Sequence, residues 1–199
     1  FLRGILPGFD LVIHAAAIKV IPLAEVSVRS TIMTNVVGTM NVCQVSAEVG
    51  VERVITILTD KIIRASTVYG NSKALASGIT REANMWGSTR FSSVLYGNVL
   101  GSSSSLYPHL QSLKAQGKPF PITDTRCTRF FLRMKEAIDL ILLAYELDMP
   151  ATTVVPKAGG CPIIELFRAI DPDWPIEDVG IRSSEKLHEL MLSDVEARH

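Results

Sequence analysis

Short apolar runs alternate with helical periodicity along the first half of the chain. Residues 10–17, "DLVIHAAA", end in small side chains, and residues 53–59, "RVITILT", are rich in β-branched side chains. A third run, residues 90–101, leads into a Gly/Ser loop. Such runs are typical of the buried strands of a parallel sheet.

Two helices are predicted between these strands. Residues 28–49 space their apolar side chains as a buried helix does, and Gly50 is suited to end it. A second helical pattern extends from Tyr69 to about Trp86. This alternation predicts an α/β fold, with a parallel sheet covered by helices on both faces.

The second half of the chain is more mixed. The serine run 102–105 is interpreted as a loop, because a helix is predicted to begin directly after it, near Leu106. The pattern further predicts a helix over 135–147, a strand over 151–157 and a short helix over 161–170. The charged C-terminal stretch 183–199 is interpreted as the solvated face of a helix.

Composition narrows the class of protein. The 199 residues are 47% hydrophobic and carry no net charge, which favours a compact core and does not favour nucleic acid or an anionic membrane as partner. The three cysteines lie far apart and lack metal-ligand spacing, so we expect no metal site and no disulfide framework. No apolar run approaches the about 18 residues of a membrane span. These features predict a cytoplasmic protein with no membrane partner.

The stretch "LTDKIIRASTVYGNSK", residues 58–73, concentrates the candidate chemistry. Thr59, Asp60 and Lys61 follow a central strand, where open α/β sheets bind ligands. Tyr69 begins a helix, and Lys73 lies one turn later on the same face. A nearby ammonium lowers the pKa of a tyrosine from about 10 and lets it exchange a proton with a sugar hydroxyl. The alternative is an exposed Tyr-Lys pair, because Y-x-x-x-K often arises by chance.

A longer set of motifs resembles one protein family. In order, the chain reads "HAAAIKVIPL", "TNVVGTMNV", "TDK", "YGNSK", "LYGNVLGS", "TDTRCTRFFL" and "GIRSSEKLHE". This set resembles the extended short-chain dehydrogenase/reductase superfamily, and within it the inverting UDP-N-acetylglucosamine 4,6-dehydratases and related polysaccharide-biosynthesis proteins. The likeness covers nearly the whole chain.

The resemblance implies a Rossmann-like, doubly wound parallel sheet with a small C-terminal α/β substrate-binding portion. We expect residues 1–101 to form the C-terminal part of an NAD(P)-binding Rossmann domain that carries the active site. Residues 102–199 are expected to bind mainly the nucleotide sugar, with some elements returning to the Rossmann domain.

The resemblance also implies roles for individual residues. Tyr69 and Lys73 correspond to the superfamily's catalytic pair, and Thr59 to its active-site Ser/Thr. Asp60 and Lys61 resemble the acid/base residues for elimination across C5 and C6 of the sugar. The cofactor-binding residues implied are Ala15, Ala16, Asn35, Thr59, Tyr69, Lys73 and Tyr96. The substrate-binding residues implied are Lys19, Asn98, Arg129, Arg182 and Glu185.

The implied reaction is oxidation at C4 of UDP-N-acetylglucosamine, elimination of water across C5 and C6, reduction at C6 and epimerisation at C5. The implied cofactor is NADP, with NAD possible, and the implied partners are the UDP-sugar and further copies of the chain. A UDP-sugar 4-epimerase is one alternative, because it needs Tyr69 and Lys73 but not Asp60 and Lys61. A non-catalytic member of the same fold is another.

The chain departs from the family pattern at several positions. Leu95 and Ser103 stand where the family has arginines, and each lost charged contact weakens diphosphate binding by about 1.5–3 kcal/mol. Arg64 stands where a neutral residue is expected. No glycine-rich dinucleotide motif opens a helix, so we expect that element of the family to lie outside this sequence. His14 is interpreted as structural, although it is expected beside the cofactor.

Overall fold

The computed structural model describes residues 1–182 and 184–198. Its strands are β1 (Leu11–His14), β2 (Arg53–Thr59), β3 (Arg90–Tyr96), β4 (Asn98–Val99), β5 (Phe120–Ile122), β6 (Thr128–Leu132), β7 (Thr153–Val154), β8 (Gly160–Pro162) and β9 (Ile176–Asp178). Its α-helices are α1 (Leu2–Ile5), α2 (Ile21–Val26), α3 (Val28–Ile32), α4 (Gly38–Val49), α5 (Val68–Glu82), α6 (Leu106–Ala115), α7 (Met134–Leu147) and α8 (Ile163–Ile170).

A parallel sheet with the strand order β1-β2-β3-β7 forms the centre of the molecule. The predicted strands at 53–59 and at the start of 90–101 are confirmed, and the strand predicted at 10–17 is limited to β1. Because all four strands are parallel, their carboxyl ends meet at one edge of the sheet. That edge carries the ends of β1, β2 and β3 and the candidate site.

Helices cover both faces of this sheet, as predicted for a Rossmann-like fold. Val54 of β2 packs with Cys43 of α4 on one face. The next residue, Ile55, packs with Leu140 and Ala144 of α7 on the other face. This alternation follows from the two-residue period of a strand, whose successive side chains point to opposite faces.

The helix predicted over 28–49 is confirmed as a continuous helical segment, and Gly50 ends it in the left-handed conformation with φ of 76°. A single π-helical stretch, Met33–Val37, joins α3 to α4. Such insertions widen one helical turn and often occur at functional sites. Here the stretch carries Asn35, one of the predicted cofactor-binding residues.

A second core lies in the later part of the chain. Phe120 and Phe167 meet edge to face at 5.6 Å between ring centroids, and Cys127 is fully buried beside them. The strands here form a β4-β6-β8 sheet and a β5-β9 pair. Between β3 and β4 the chain passes close to β6 at Gly97, where a Cβ would clash with the carbonyl oxygen of Phe130. The division at residue 101 stays a prediction.

Other sequence expectations also differ from the structure, and the strand predicted over 151–157 is limited to β7. The helix predicted from residue 161 begins at Ile163, because residues 160–162 form β8 and pair with β6. Strands β5, β6 and β9 had no prediction. No α-helix forms over residues 184–198, where side chains instead contact distant segments. Within the described residues, no helix is both long and apolar enough to cross a membrane.

Candidate active site

A tight turn at the end of β2 holds the predicted acid/base pair. Thr59 caps the 3₁₀ turn Asp60–Ile62, and its hydroxyl donates to Asp60 Oδ1 at 3.0 Å. The Lys61 ammonium donates to the same oxygen at 2.9 Å and to Asn98 Oδ1 at 3.2 Å. Asp60 is fully buried, and its Oδ2 has no hydrogen-bond partner among the described residues. A buried acceptor without a partner is unfavourable unless a ligand donates to it.

Helix α5 brings the predicted Tyr-Lys pair to the same edge. Thr67 caps the helix by accepting from the Gly70 amide at 2.9 Å, as N-cap hydroxyls commonly do. Glu25 accepts from the Val68 amide at 2.7 Å. Tyr69 and Lys73 are therefore fixed in the first two turns of the helix, and both are buried. The exposed Tyr-Lys alternative is excluded by this burial.

The pKa values of this pair differ from the expectation. Burial raises the pKa of Tyr69 to about 12, a hydrogen bond with Thr59 opposes the rise, and the charge of Asp60 adds to it. Burial lowers the pKa of Lys73 to about 8. The predicted lowering of the tyrosine pKa is therefore wrong, because desolvation by burial is the largest effect on this hydroxyl.

Asn35 connects the loop after β1 to helix α5. Its Oδ1 accepts from the Ile18 amide at 2.8 Å, and its Nδ2 donates to the Ile18 carbonyl at 3.0 Å and to Ser72 Oγ at 2.9 Å. Ser72 lies between Tyr69 and Lys73, and its hydroxyl donates to the Tyr69 carbonyl at 2.8 Å. One fully buried amide thus fixes the position of the loop relative to the helix that carries the Tyr-Lys pair.

His14 ends β1 beneath this loop. Its Nε2 lies 2.8 Å from the Thr39 hydroxyl, which donates to the Asn35 carbonyl at 2.7 Å. Burial, followed by the charge of Lys73, lowers the pKa of His14 to about 4. A neutral, buried and hydrogen-bonded histidine agrees with its interpretation as structural.

The remaining predicted cofactor residues lie at the same edge of the sheet. Ala15 and Ala16 follow β1 and are exposed. Tyr96 ends β3 in register with Thr59, and burial raises the pKa of its hydroxyl. Backbone register alone therefore places the ends of three strands side by side, as a dinucleotide site in a Rossmann-like sheet requires.

The predicted substrate residues do not form a single group. Asn98 contacts Lys61, and Lys19 reaches Ser102 Oγ at 3.5 Å. Arg129 is buried and donates to Glu185 Oε1 at 3.0 Å, and it also donates to the carbonyls of Thr128 and Leu187. The Arg182 side chain is exposed. Arg129 and Glu185 thus meet each other, while no contact joins them directly to Asp60 or Lys61.

The structure adds residues that the sequence analysis missed. A Cβ at Gly70 would stand 2.5 Å from the Lys61 carbonyl oxygen, so a glycine is needed where α5 passes the acid/base turn. The Lys186 ammonium donates to the Ile63 carbonyl at 2.7 Å, next to that turn. A hydroxyl three residues before Gly70 was the available signal for Thr67 as a helix cap. Nothing in the local sequence signals the contact of Lys186.

Comparisons with known proteins show which family the chain belongs to. The model of the polysaccharide biosynthesis protein family matches residues 2–199. The chain belongs to this family. An inverting UDP-N-acetylglucosamine 4,6-dehydratase of Campylobacter jejuni (subsp. jejuni serotype O:23/36, strain 81-176) is 39% identical over 188 residues, which cover 92% of this chain and 56% of that relative. A UDP-glucose 4-epimerase of Rickettsia massiliae (strain Mtu5) is 34% identical and is covered over 58% of its length.

Solved structures show the same fold. Pen from Bacillus thuringiensis matches with a TM-score of 0.91 at 24% identity, over 96% of this chain and 62% of that one. DesIV, a dTDP-glucose 4,6-dehydratase from Streptomyces venezuelae solved with NAD and TYD bound, matches with a TM-score of 0.88 at 19% identity, over 100% of this chain and 69% of that one. This family member thus has the same Rossmann-like fold as these two proteins. It spans little more than half the length of its curated relatives.

Proposed function

We propose that this chain carries the catalytic residues of a nucleotide-sugar 4,6-dehydratase of the inverting type, acting on UDP-N-acetylglucosamine in polysaccharide or glycan sugar biosynthesis. The observation that carries the proposal is the pair of the buried Asp60 with the partly buried Lys61, which lies at the strand end beside Tyr69 and has one carboxylate oxygen unpartnered among the described residues. A pair of this kind supplies the acid and the base that an elimination needs at adjacent atoms. Tyr69 alone cannot supply both.

The residues at this edge fit a nicotinamide dinucleotide. Lys73 is buried, and among the described residues no hydrogen bond engages its ammonium, which leaves its donors available to ribose hydroxyls. Ala15 and Ala16 are small and exposed, so a ligand can approach their backbone closely. An oxidised nicotinamide held there would supply the acceptor for the C4 hydride and its later return to C6, and its positive charge would favour the tyrosine phenolate.

The protein's own residues then divide the proton transfers. Tyr69 takes the proton of the C4 hydroxyl, while the Lys73 ammonium, whose pKa is about 8, is largely charged at neutral pH and stabilises the phenolate. The 4-ketone makes the C5 hydrogen acidic, and one member of the Asp60–Lys61 pair removes it. The other member protonates the departing C6 hydroxyl. The short contact between the two allows a proton to pass from one to the other.

The proposal also includes the partners of the chain and the choice between NADP and NAD. The sequence prediction names NADP, with NAD possible, whereas the solved structure of DesIV contains NAD. Fluorescence titration with each dinucleotide measures this preference directly. The UDP-sugar as substrate and self-association of the chain stay predictions. Light scattering of the purified chain measures the latter.

A UDP-sugar 4-epimerase is the second candidate, because relatives of the chain in Rickettsia carry that name. An epimerase uses Tyr69 and Lys73 and does not exchange the C5 hydrogen. The two products therefore differ at C4 and C6 of the sugar, and only the dehydratase exchanges the hydrogen at C5. The Asp60–Lys61 pair favours the dehydratase.

The test is incubation of the chain with UDP-N-acetylglucosamine and each dinucleotide in D₂O, followed by proton NMR. A 4-keto-6-deoxy sugar that carries deuterium at C5 is the expected product. A C4 epimer without deuterium at C5 would instead support the epimerase. Unchanged sugar together with absent dinucleotide binding would identify this chain as a non-catalytic member of the family.

A further inference from the structure

The C-terminal segment 184–191 lies across the turn that carries the acid/base pair. Lys186 Nζ donates to the Ile63 carbonyl at 2.7 Å, and Ser66 Oγ donates to the Ser184 carbonyl at 2.9 Å. Leu190 and Met191 pack on a small core around Ile63. The segment therefore binds residues 62–66 with side chains and backbone alike.

The same segment is fixed on its other side by β6 and the loop before it. Glu185 accepts from Arg129 and from Thr123, each at 3.0 Å. The His188 ring lies 2.8 Å from the Thr128 hydroxyl. Segment 184–191, which includes Glu185, thus joins Arg129 to the turn of Asp60 and Lys61, although no hydrogen bond links Arg129 to that turn directly.

Within segment 184–191, the side chain of Lys186 contacts the acid/base turn. Its ammonium lies between the Ile63 carbonyl and Glu189 Oε2, at 2.7 and 3.5 Å. The lysine side chain is 23% exposed and that of Glu189 is 7% exposed, so water competes weakly for the contact. The chain reverses directly after Ile63, where Arg64 adopts a positive φ of 47°. The Ile63 carbonyl is thereby held at the end of the acid/base turn, two residues from Lys61.

We infer that Lys186 is a positioning residue. From the C-terminal segment, its side chain fixes the turn 60–63 and thereby the position of the Asp60–Lys61 pair. The effect of Lys186 on catalysis rests on the proposed function, whereas its effect on the stability of the turn does not. The Ile63 amide already donates to the Asp60 carbonyl within the turn at 3.1 Å. Loss of the lysine donor frees the carbonyl of the same residue, so the turn opens more often.

The test compares Lys186→Met, which keeps the length of the side chain, with Lys186→Arg, which keeps the charged donor. Lys135→Met is the matched control, because Lys135 is exposed on α7 and, within the described part of the chain, forms an ion pair with Asp139 alone. Amide hydrogen exchange of residues 60–63 is expected to accelerate by at least about tenfold in Lys186→Met, as for loss of one charged hydrogen bond. Lys186→Arg is expected to restore slow exchange, and Lys135→Met to leave it unchanged.

Exchange at wild-type rates in Lys186→Met would overturn the inference, and so would acceleration spread evenly over all strands, which indicates a general loss of stability. In the protein that converts sugar, Lys186→Met is further expected to slow C5 deuterium exchange by about tenfold, with KM changed less than about threefold. If the wild-type chain converts no sugar, the exchange data alone still decide whether Lys186 holds the turn.

Discussion

The carbonyl oxygen of Lys61 lies directly against Gly70, so closely that a Cβ on this glycine would stand 2.5 Å from it. The glycine adjoins Tyr69, and the carbonyl belongs to the acid/base pair. The two sets of candidate catalytic residues are therefore packed backbone to backbone rather than through long side chains. Their spacing is set by the absence of one methyl group.

Replacing Gly70 by Ala is expected to push the acid/base turn away from α5. We expect a loss of about 1–3 kcal/mol in the free energy of unfolding, since the new methyl group would clash with backbone atoms that are fixed by the turn. Urea denaturation measures this loss. Gly78→Ala is the control on the same helix, because its Cβ would meet nothing within 4 Å. That variant is expected to gain up to about 1 kcal/mol from helix propensity. Equal effects of both substitutions would contradict the close packing.

Asn35→Ala tests the link between the loop after β1 and helix α5. The substitution leaves the Ile18 amide and carbonyl without partners in a partly buried place, so we expect a loss of about 2–4 kcal/mol in the free energy of unfolding. Asn71→Ala is the control, because that side chain makes a single hydrogen bond among the described residues, to the Thr67 carbonyl. If calorimetry shows similar losses for both variants, the three hydrogen bonds of Asn35 do not stabilise the fold as described.

The local sequence pattern was sufficient to predict the helices and strands that surround the site. The run at 53–59 predicted β2 residue for residue, and the helical spacing over 28–49 predicted that segment with its terminal glycine. These elements bury one or both faces, so their sequence periodicity reflects the packing. The short strand Phe120–Ile122 escaped prediction because it has three residues and contains Pro121, which argues against a strand.

Long-range contacts account for what the sequence did not predict. The charges of segment 184–198 have a helix-like appearance, but Lys186 and Glu185 are used in contacts with residues 63 and 129. A propensity pattern contains no information on partners so far away in the chain. The pKa of Tyr69 was wrongly predicted for a related reason, because the depth of burial is a tertiary property.

Asp60→Asn is expected to separate the two halves of the proposed reaction. The amide keeps the shape of the carboxylate and its place beside Thr59, but it cannot take or give the C5 or C6 proton. Deuterium incorporation at C5 should fall by about 10²–10⁴-fold, while oxidation at C4 persists. Asp139→Asn, on the exposed face of α7, is the control. Undiminished C5 exchange in Asp60→Asn would remove this carboxylate from the mechanism.

Lys73→Met is expected to stabilise the fold while abolishing turnover. The pKa of Lys73 is about 8 in the folded chain and 10.5 as a free side chain, so folding opposes the charged form. At neutral pH the buried charge costs on the order of 3 kcal/mol, and the methionine variant should be more stable by up to that amount. Between about pH 8 and 10.5 the unfolded lysine binds more protons than the folded one, so wild-type stability rises through this range.

The difference between wild type and Lys73→Met should therefore be largest below about pH 8 and shrink by about pH 9.5. Urea denaturation of both proteins at the two pH values measures it, and the comparison cancels the titration of other groups. Lys61→Met, whose ammonium pairs with Asp60, is the contrasting variant, because it leaves a buried carboxylate without its cation and should destabilise the fold. A Lys73→Met protein that is less stable than wild type at neutral pH would show that the ammonium is already compensated in the folded chain, and Lys73 would then have no spare donors for a ribose.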